Sequence, residues 1–403
     1  MTRIRRWSLA ATALVAALVV IAVVGITVVV NNAQKPDPGA FYQIPSPLPS
    51  GALGTVIRSE PIQDPPPGTL GWKILYLSTS FSGEPTAMSG LLFVSTAPPP
   101  TAGRDIVVAT PGTVGVAPQC AVSLIGPAYW PAINGLSDFI AAGNAVVVPD
   151  YQGLGTPGPH PYLVGDAEAV AALDAARAAH EFEAAHAGTR FVVWGESQGG
   201  HAALFAGQDA ASYAPEMTLM GVATAAPATE LRTLFEANQD SPFGKLLSAY
   251  TLAMWSKVYP ELHLDQMVTP LALPVVDAIS TVCVHMDTDE VVAIGALTSL
   301  LKLSYLSSPP WDTQPFGDLL SHNTPGADSI GAPVLIAQGE ADPLVKPEIN
   351  AEFAARLCRQ GETVDYVAYP GVGHLDAGQA TAHDASTWIA DRFAGKPPPT
   401  TCT

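Results

Sequence analysis

Three short segments hold side chains that could act together on a carbonyl. Gly195-Glu196-Ser197-Gln198-Gly199 fits the pattern G-x-S-x-G, with the apolar run Arg190–Trp194 before it and the helix-forming run Gly200–Ala211 after it. A serine at the tip of a sharp strand-to-helix turn projects its hydroxyl toward solvent, and such a turn needs small residues on both sides, here Gly195 and Gly199. The second segment is Ala337–Val345 (AQGEADPLV), which follows the apolar run Pro333–Ala337 and offers two carboxylates, Glu340 and Asp342. Asp342 is the better partner for a histidine, because it sits further into the loop and just before the turn former Pro343. Glu340 reads as a solvated or structural acid. The third segment, Gly371-Val372-Gly373-His374, follows the run Val364–Tyr369 and sets a histidine on a glycine-bracketed loop. An imidazole there can take a serine proton, and a carboxylate can orient the imidazole. Of the other histidines, His180 and His186 read as surface residues, and His201 as packing for the helix behind the serine.

These residues need a scaffold that brings the ends of separate strands together. Apolar runs recur at Asp105–Ala109, Asn144–Pro149, Arg190–Trp194, Met217–Thr224, Pro333–Gln338 and Val364–Tyr369. Helical stretches alternate with them, notably Asp166–Ala185, and a last helix is expected near Ala382–Phe393. Shorter β-rich runs precede them at Gly54–Arg58, Trp72–Ser78 and Ser89–Ser95. Continuous apolar strands separated by helices predict an α/β fold with a mostly parallel central sheet flanked by helices. The order Ser197, Asp342, His374 is the one found in α/β-hydrolases. In that fold the loop after Asp105–Ala109, Thr110-Pro111-Gly112-Thr113-Val114-Gly115, supplies an oxyanion donor. The N–H of Thr113 is the expected donor there, and the N–H of Gln198 at a helix N-terminus is the second. Residues 227–323 break the rhythm with helices and no strand, the size of an inserted lid. The expected organisation is 1–33 as signal anchor or signal peptide, 34–50 as a Pro-rich linker, 51–226 and 324–403 as the two parts of the core, and 227–323 as the lid.

Composition limits the function classes. The chain has 403 residues, 48% of them hydrophobic, enough for a sizeable core. Acidic residues outnumber basic ones 36 to 18, for a net charge of −18, which excludes a nucleic-acid partner. Arg3, Arg5 and Arg6 precede an uncharged stretch from Trp7 to Val30, long enough to cross a bilayer, with the positive flank staying inside. Asn31-Asn32-Ala33 is a poor cleavage site, which favours an uncleaved anchor. The body of the chain is therefore expected outside the cytoplasm, secreted or anchored to the membrane. Four cysteines, Cys120, Cys283, Cys358 and Cys402, fit an oxidising compartment and allow three pairings. No CxxC or His-rich cluster suggests a metal site.

The chain resembles the secretory lipase family, the fungal lipase A-type enzymes and their actinobacterial relatives. The resemblance spans residues 41 to 403. It rests on Phe41-Tyr42…Pro45, Pro111-Gly112-Thr113…Cys120-Ala121…Ser123, Asp150-Tyr151-Gln152-Gly153-Leu154-Gly155-Thr156 and Leu173-Asp174…Arg177-Ala178-Ala179. It continues through Trp194–Gly200, Gly339…Asp342 and Tyr369-Pro370-Gly371…His374. The family implies an α/β-hydrolase core with a helical lid. It implies hydrolysis of carboxylic esters, often triacylglycerols, with no cofactor and no metal. The expected substrate is a lipid or other apolar ester, and the expected assembly is a monomer. Bacterial relatives often carry His-Gly-Thr where this chain has Pro111-Gly112-Thr113, so the shape of that loop is open. Pairing Cys120 with Cys283 would tie the lid to the oxyanion loop, and pairing Cys358 with Cys402 would pin the tail Lys396–Thr403; the resemblance supports both. Two other functions share these residues: acyl transfer to a hydroxyl acceptor by the same triad, and an inert envelope-bound binding protein of the same fold.

Overall fold

A computed structural model describes residues 38–285, 288–302 and 305–403 of the chain. The expected N-terminal anchor lies outside the described residues. Among the described residues, no helix is long and apolar enough to cross a membrane.

The frame is a nine-stranded sheet in the order β1-β2-β3-β5-β4-β6-β7-β8-β9. The strands are β1 Val56–Pro61, β2 Thr69–Thr79, β3 Pro85–Ser95, β4 Arg104–Thr110, β5 Ala145–Pro149, β6 Ala187–Glu196, β7 Thr218–Ala225, β8 Val334–Gly339 and β9 Val364–Tyr369. β1, β2, β3 and β5 pair antiparallel, and every pair from β5 to β9 is parallel. The centre is apolar along whole strands: Val146, Val147, Ile106, Val107, Val108, Phe191, Val192 and Val193 are all fully buried. That is the pattern of a sheet covered on both faces. β2 and β3 run longer than their apolar cores, pairing from Thr69↔Ser95 to Thr79↔Pro85. Their polar ends carry no hydrophobic signal, which is why the sequence reading stops short of them.

Two helices press on the middle of the sheet. Gly165–Glu181 buries Ala169, Ala172, Ala175, Ala176 and Ala179, and these small side chains let it approach closely. Gln198–Tyr213 leaves the end of β6 and packs against both that helix and the sheet. Between β7 and β8 the chain forms helices Leu231–Asn238, Pro242–Val258, Leu264–Met267, Leu273–Ile279, Thr288–Leu300 and Phe316–His322. They share an apolar cluster separate from that of the sheet, including Leu246, Tyr250, Trp255, Ile279 and Phe316, which also takes in Tyr162 and Leu163. Among the described residues of 227–323 there is no strand; the isolated bridge Val268↔Leu306 joins two of its segments and another, Gly115↔Cys283, joins it to the loop after β4.

Cys120 is bonded to Cys283 and Cys358 to Cys402. The first bond lies beside a short bridge between Gly115 and Cys283, and Val284 N–H donates to Val114 O at 2.9 Å. The second holds the C-terminal tail on the outer edge of β9. There Thr401 N–H donates to Val364 O at 2.8 Å, and Tyr366 N–H donates to Thr401 Oγ1 at 3.0 Å.

Candidate active site

The turn from β6 into the following helix is built by close backbone approach. A Cβ at Gly195 would lie 2.2 Å from Gly199 O, and one at Gly199 would lie 2.1 Å from Thr110 O. Only glycine fits either position. Ser197 then takes φ 55° and ψ −116°, outside the regions an L-residue normally occupies, and its N–H donates to Ala225 O at 3.0 Å. Such strain costs on the order of 1–3 kcal/mol and persists because the glycines and neighbouring strands fix it.

The three residues singled out in sequence converge on this turn. Ser197 Oγ–H donates to His374 Nε2 at 2.9 Å. On the other side of the ring, Nδ1–H donates to Asp342 Oδ2 at 2.8 Å. Asp342 Oδ1 accepts the N–H groups of Leu344 at 2.8 Å and Val345 at 2.9 Å, which fixes the carboxylate. Asp342 and His374 are buried, whereas Glu340 is exposed and takes no part. One expectation is corrected. His374 is not on a loop ahead of a late helix: it is the first residue of the helix His374–Phe393. The residues after it contain no proline and a single glycine, Gly378, so the helix begins as soon as Gly373 has turned the chain. Burial depresses the imidazole's pKa, but the hydrogen bond it donates to Asp342 and the charges of Glu196 and Asp342 outweigh it and leave the pKa above 6.5. A basic nitrogen facing a serine hydroxyl, held in one tautomer by a carboxylate, can act as a general base.

Of the two expected oxyanion donors, Gln198 directly follows the serine in the chain. Gln198 opens its helix, and the first N–H groups of a helix have no acceptor within it. Thr113 lies on the loop after β4, its hydroxyl 2.7 Å from that of Tyr162. The carbonyl of Pro111 accepts from Tyr151 OH at 2.9 Å, which anchors the loop. An apolar channel leads away from Ser197 and Gln198 between Tyr162, Leu231, Phe235, Leu247 and Val345. It has only about 40 Å³ of free space.

Several residues at the site carry no signal that the sequence reading used. Glu196 Oε1 lies 3.5 Å from His374 Nε2. Burial pushes the Glu196 carboxyl up to about 7, the charge of His374 pulls it down, and that of Asp342 pushes it up again. Behind the serine, the side-chain amide of Gln198 donates to Glu168 Oε1 at 2.7 Å and to His160 Nε2 at 3.3 Å. His160 donates from Nδ1 to Gln152 O at 3.0 Å; burial brings its pKa to about 4, and it is neutral. Glu168 Oε2 is hydrogen-bonded to His201 Nδ1 at 2.6 Å, and His201 Nε2–H donates to Asn323 O at 2.8 Å. His201 therefore belongs to a buried polar network, beyond the packing role expected of it. Glu196 could have been noticed as the variable residue inside the motif itself. Glu168 could have been noticed as an acid in an otherwise alanine-rich helix.

A sheet of this order with a strained serine after β6, the sixth of its strands in space, an acid after β8 and a histidine after β9 defines an α/β-hydrolase. The model of the secretory lipase family matches residues 133–401, and the chain belongs to that family, a family of extracytoplasmic carboxylic ester hydrolases. It is 25% identical over 409 residues to the secreted triacylglycerol lipase LIP3 of Malassezia globosa, covering 91% of this chain and 83% of the relative. It is 24% identical over 404 residues to a Mycobacterium tuberculosis protein named a probable inactive lipase, covering 90% and 83%. Among solved structures it is similar to Candida antarctica lipase A in its closed state, with TM-score 0.76, 19% identity and coverage of 92% and 89%. It is also similar to the rice cell wall degrading esterase LipA of Xanthomonas oryzae, with TM-score 0.69, 19% identity and coverage of 86% and 99%. Among the described residues, no cluster of three or more His, Cys, Asp or Glu could hold a metal ion.

Proposed function

We propose that the chain hydrolyses fatty-acyl esters, triacylglycerols among them, through an acyl-enzyme on Ser197. The observation that carries this reading is the continuous relay Ser197–His374–Asp342, at 2.9 and 2.8 Å. His374 Nε2 takes the Ser197 proton as Oγ attacks the ester carbonyl, and Asp342 stabilises the imidazolium. The N–H groups of Gln198 and Thr113 receive the oxyanion. The alcohol leaves with the proton from His374, and a water activated by the same imidazole releases the acid. The apolar channel beside Ser197 supports an acyl chain as the group bound there. Its 40 Å³ is far below the roughly 300–1,000 Å³ of an ordinary ligand pocket. The helices of 227–323 therefore act as a lid that moves before a long chain enters, over a core made of 51–226 and 324–403. The hydrophobic segment within 1–33 tethers the enzyme to the outer side of the membrane through the linker 34–50. The lipases of Malassezia, named as secreted, agree with this side of the membrane.

The test is a series of p-nitrophenyl esters of rising chain length, with Ser197→Ala as control. Expected are hydrolysis favouring medium or long chains over acetyl, loss of all of it in Ser197→Ala, and phosphonate labelling at Ser197 alone. Labelling of another serine in the folded protein, or activity that survives Ser197→Ala, refutes the reading. An enzyme confined to acetyl esters refutes the acyl-chain channel.

A further inference from the structure

An ester has two arms, and the apolar channel accounts for one. The alcohol arm leaves when the tetrahedral intermediate collapses: its C–O bond breaks, the electron pair stays on the alkoxy oxygen, and that oxygen takes the proton from His374 Nε2. The alcohol therefore lies on the side of that nitrogen. The carboxylate of Glu196 is on the same side, 3.5 Å from Nε2. It is wedged against the oxyanion loop, since a Cβ on Gly112 would come within 2.6 Å of Glu196 Oε2. Beyond it opens a cavity of about 600 Å³, lined by Glu196, Thr113, Tyr129, Asn134, His285 and Gln379 among others. Gln379 and Leu375, on the first turns of the helix that starts at His374, are exposed at its rim. The apolar channel that Ser197 and Gln198 line shares none of these residues, and it is through Glu196 that the larger cavity meets His374.

We propose that this cavity is the subsite for the alcohol arm, and that the alcohol it takes is a polyol, with Glu196 accepting a hydrogen bond from a free hydroxyl. This rests on the ester-hydrolase reading above and adds the chemical class of the leaving group. A carboxylate at the wall suits a hydroxyl donor, whereas an alkyl alcohol would cover it without replacing its hydrogen bonds and bind at a cost. The amides of Asn134 and Gln379 extend the same polar character toward the rim. Partial acylglycerols, which keep a free glycerol hydroxyl as a fully esterified glycerol does not, and sugar esters both meet this description, and the experiment separates them.

The test uses esters of one acyl group with three alcohols: glycerol, a hexose and n-propanol. The ratio of kcat/KM for each polyol ester to that for the propyl ester is the readout. Wild type is expected to favour one polyol ester, which identifies the source. Glu196→Gln is expected to lower that ratio about tenfold, the worth of one hydrogen bond to a charged group. Gln379→Leu, on the rim and without contact to His374, is expected to lower it in the same direction by less. A ratio that stays constant while all rates fall makes Glu196 a partner of His374 only and overturns the subsite. A wild-type preference for the propyl ester also overturns it. Failure of the underlying reading looks different: wild type then cleaves none of the esters, or Ser197→Ala cleaves them all.

Discussion

Glu196 Oε1 stands 3.5 Å from His374 Nε2, the nitrogen that faces Ser197. The imidazole thus lies between two carboxylates, Asp342 on Nδ1 and Glu196 beside Nε2. Negative charge on both sides favours the imidazolium and is part of why the His374 pKa lies above 6.5. The neutral imidazole is the form that takes the serine proton, so activity falls as pH drops through this pKa. The acid limb of kcat/KM is expected above pH 6.5 in wild type and at lower pH in Glu196→Gln, where one negative charge is gone. A pH-rate profile of both proteins checks this. An acid limb that moves up in the variant would show that Glu196 does not act on His374 by charge.

Asp342 and Glu340 sit two residues apart after β8 and differ in everything that matters to a histidine. Asp342→Asn presents an amide to Nδ1 and favours the wrong tautomer. A loss of kcat on the order of 10⁴-fold is expected. Glu340 is exposed and without contact to the ring, so Glu340→Gln should leave kcat essentially as it is. Steady-state kinetics of the two variants on one ester decide the assignment, and the reverse ranking would sink it.

Gly199→Ala puts a Cβ 2.1 Å from the carbonyl oxygen of Thr110, which is backbone and cannot swing away. The helix must shift off the sheet or the turn must open. A loss of about 1–3 kcal/mol or more is expected, with activity lost as the Ser197–His374 contact breaks. Thermal unfolding and kcat measured together check it. A variant with unchanged Tm and activity would mean that the turn tolerates what the geometry forbids.

Glu168 holds the side chain of Gln198 from behind while pairing with His201. Glu168→Gln can keep every contact: its oxygen accepts from Leu163 N–H and Gln198, and its NH₂ donates to a neutral His201 that still donates to Asn323. Glu168→Ala leaves these buried groups without partners, at roughly 1–3 kcal/mol each. The glutamine variant is expected near wild type in Tm and kcat. The alanine variant is expected to lose stability and, through Gln198, kcat more than KM. Equal damage from both would mean that the charge of Glu168, and not its hydrogen bonds, is what the site uses.

What could be read from the residues was what is local. Gly195, Gly199 and Ser197 fall within five positions, and the strand and helix around them are strongly patterned. Asp342 and His374 each follow an apolar run whose end has to lie at the same edge of a parallel sheet. What escaped was proximity between distant segments. No pattern in the helix Gly165–Glu181 announces that Glu168 will meet Gln198 and His201, since that depends on how closely its alanines let it approach. Glu196 stands at a position the motif leaves free, so its sequence neighbours do not announce that it meets His374. The start of the last helix at His374 was hidden by Gly371 and Gly373, which read as loop although the second of them sits just outside the first turn.

The tail pinned by Cys358–Cys402 has a consequence for the chain's life before secretion. Thr401 occupies hydrogen-bonding groups of β9 that would otherwise form the open margin of a nine-stranded sheet. An uncovered margin of this kind is a template on which another copy can add its own strand. The chain-entropy model gives the 44-residue closure about 4 kcal/mol, which is what keeps a Pro-rich end in place there. In the reducing cytosol that bond cannot persist, and the newly made chain would be self-adhesive along one side. Oxidation of the pair after export is thus expected to keep that margin covered.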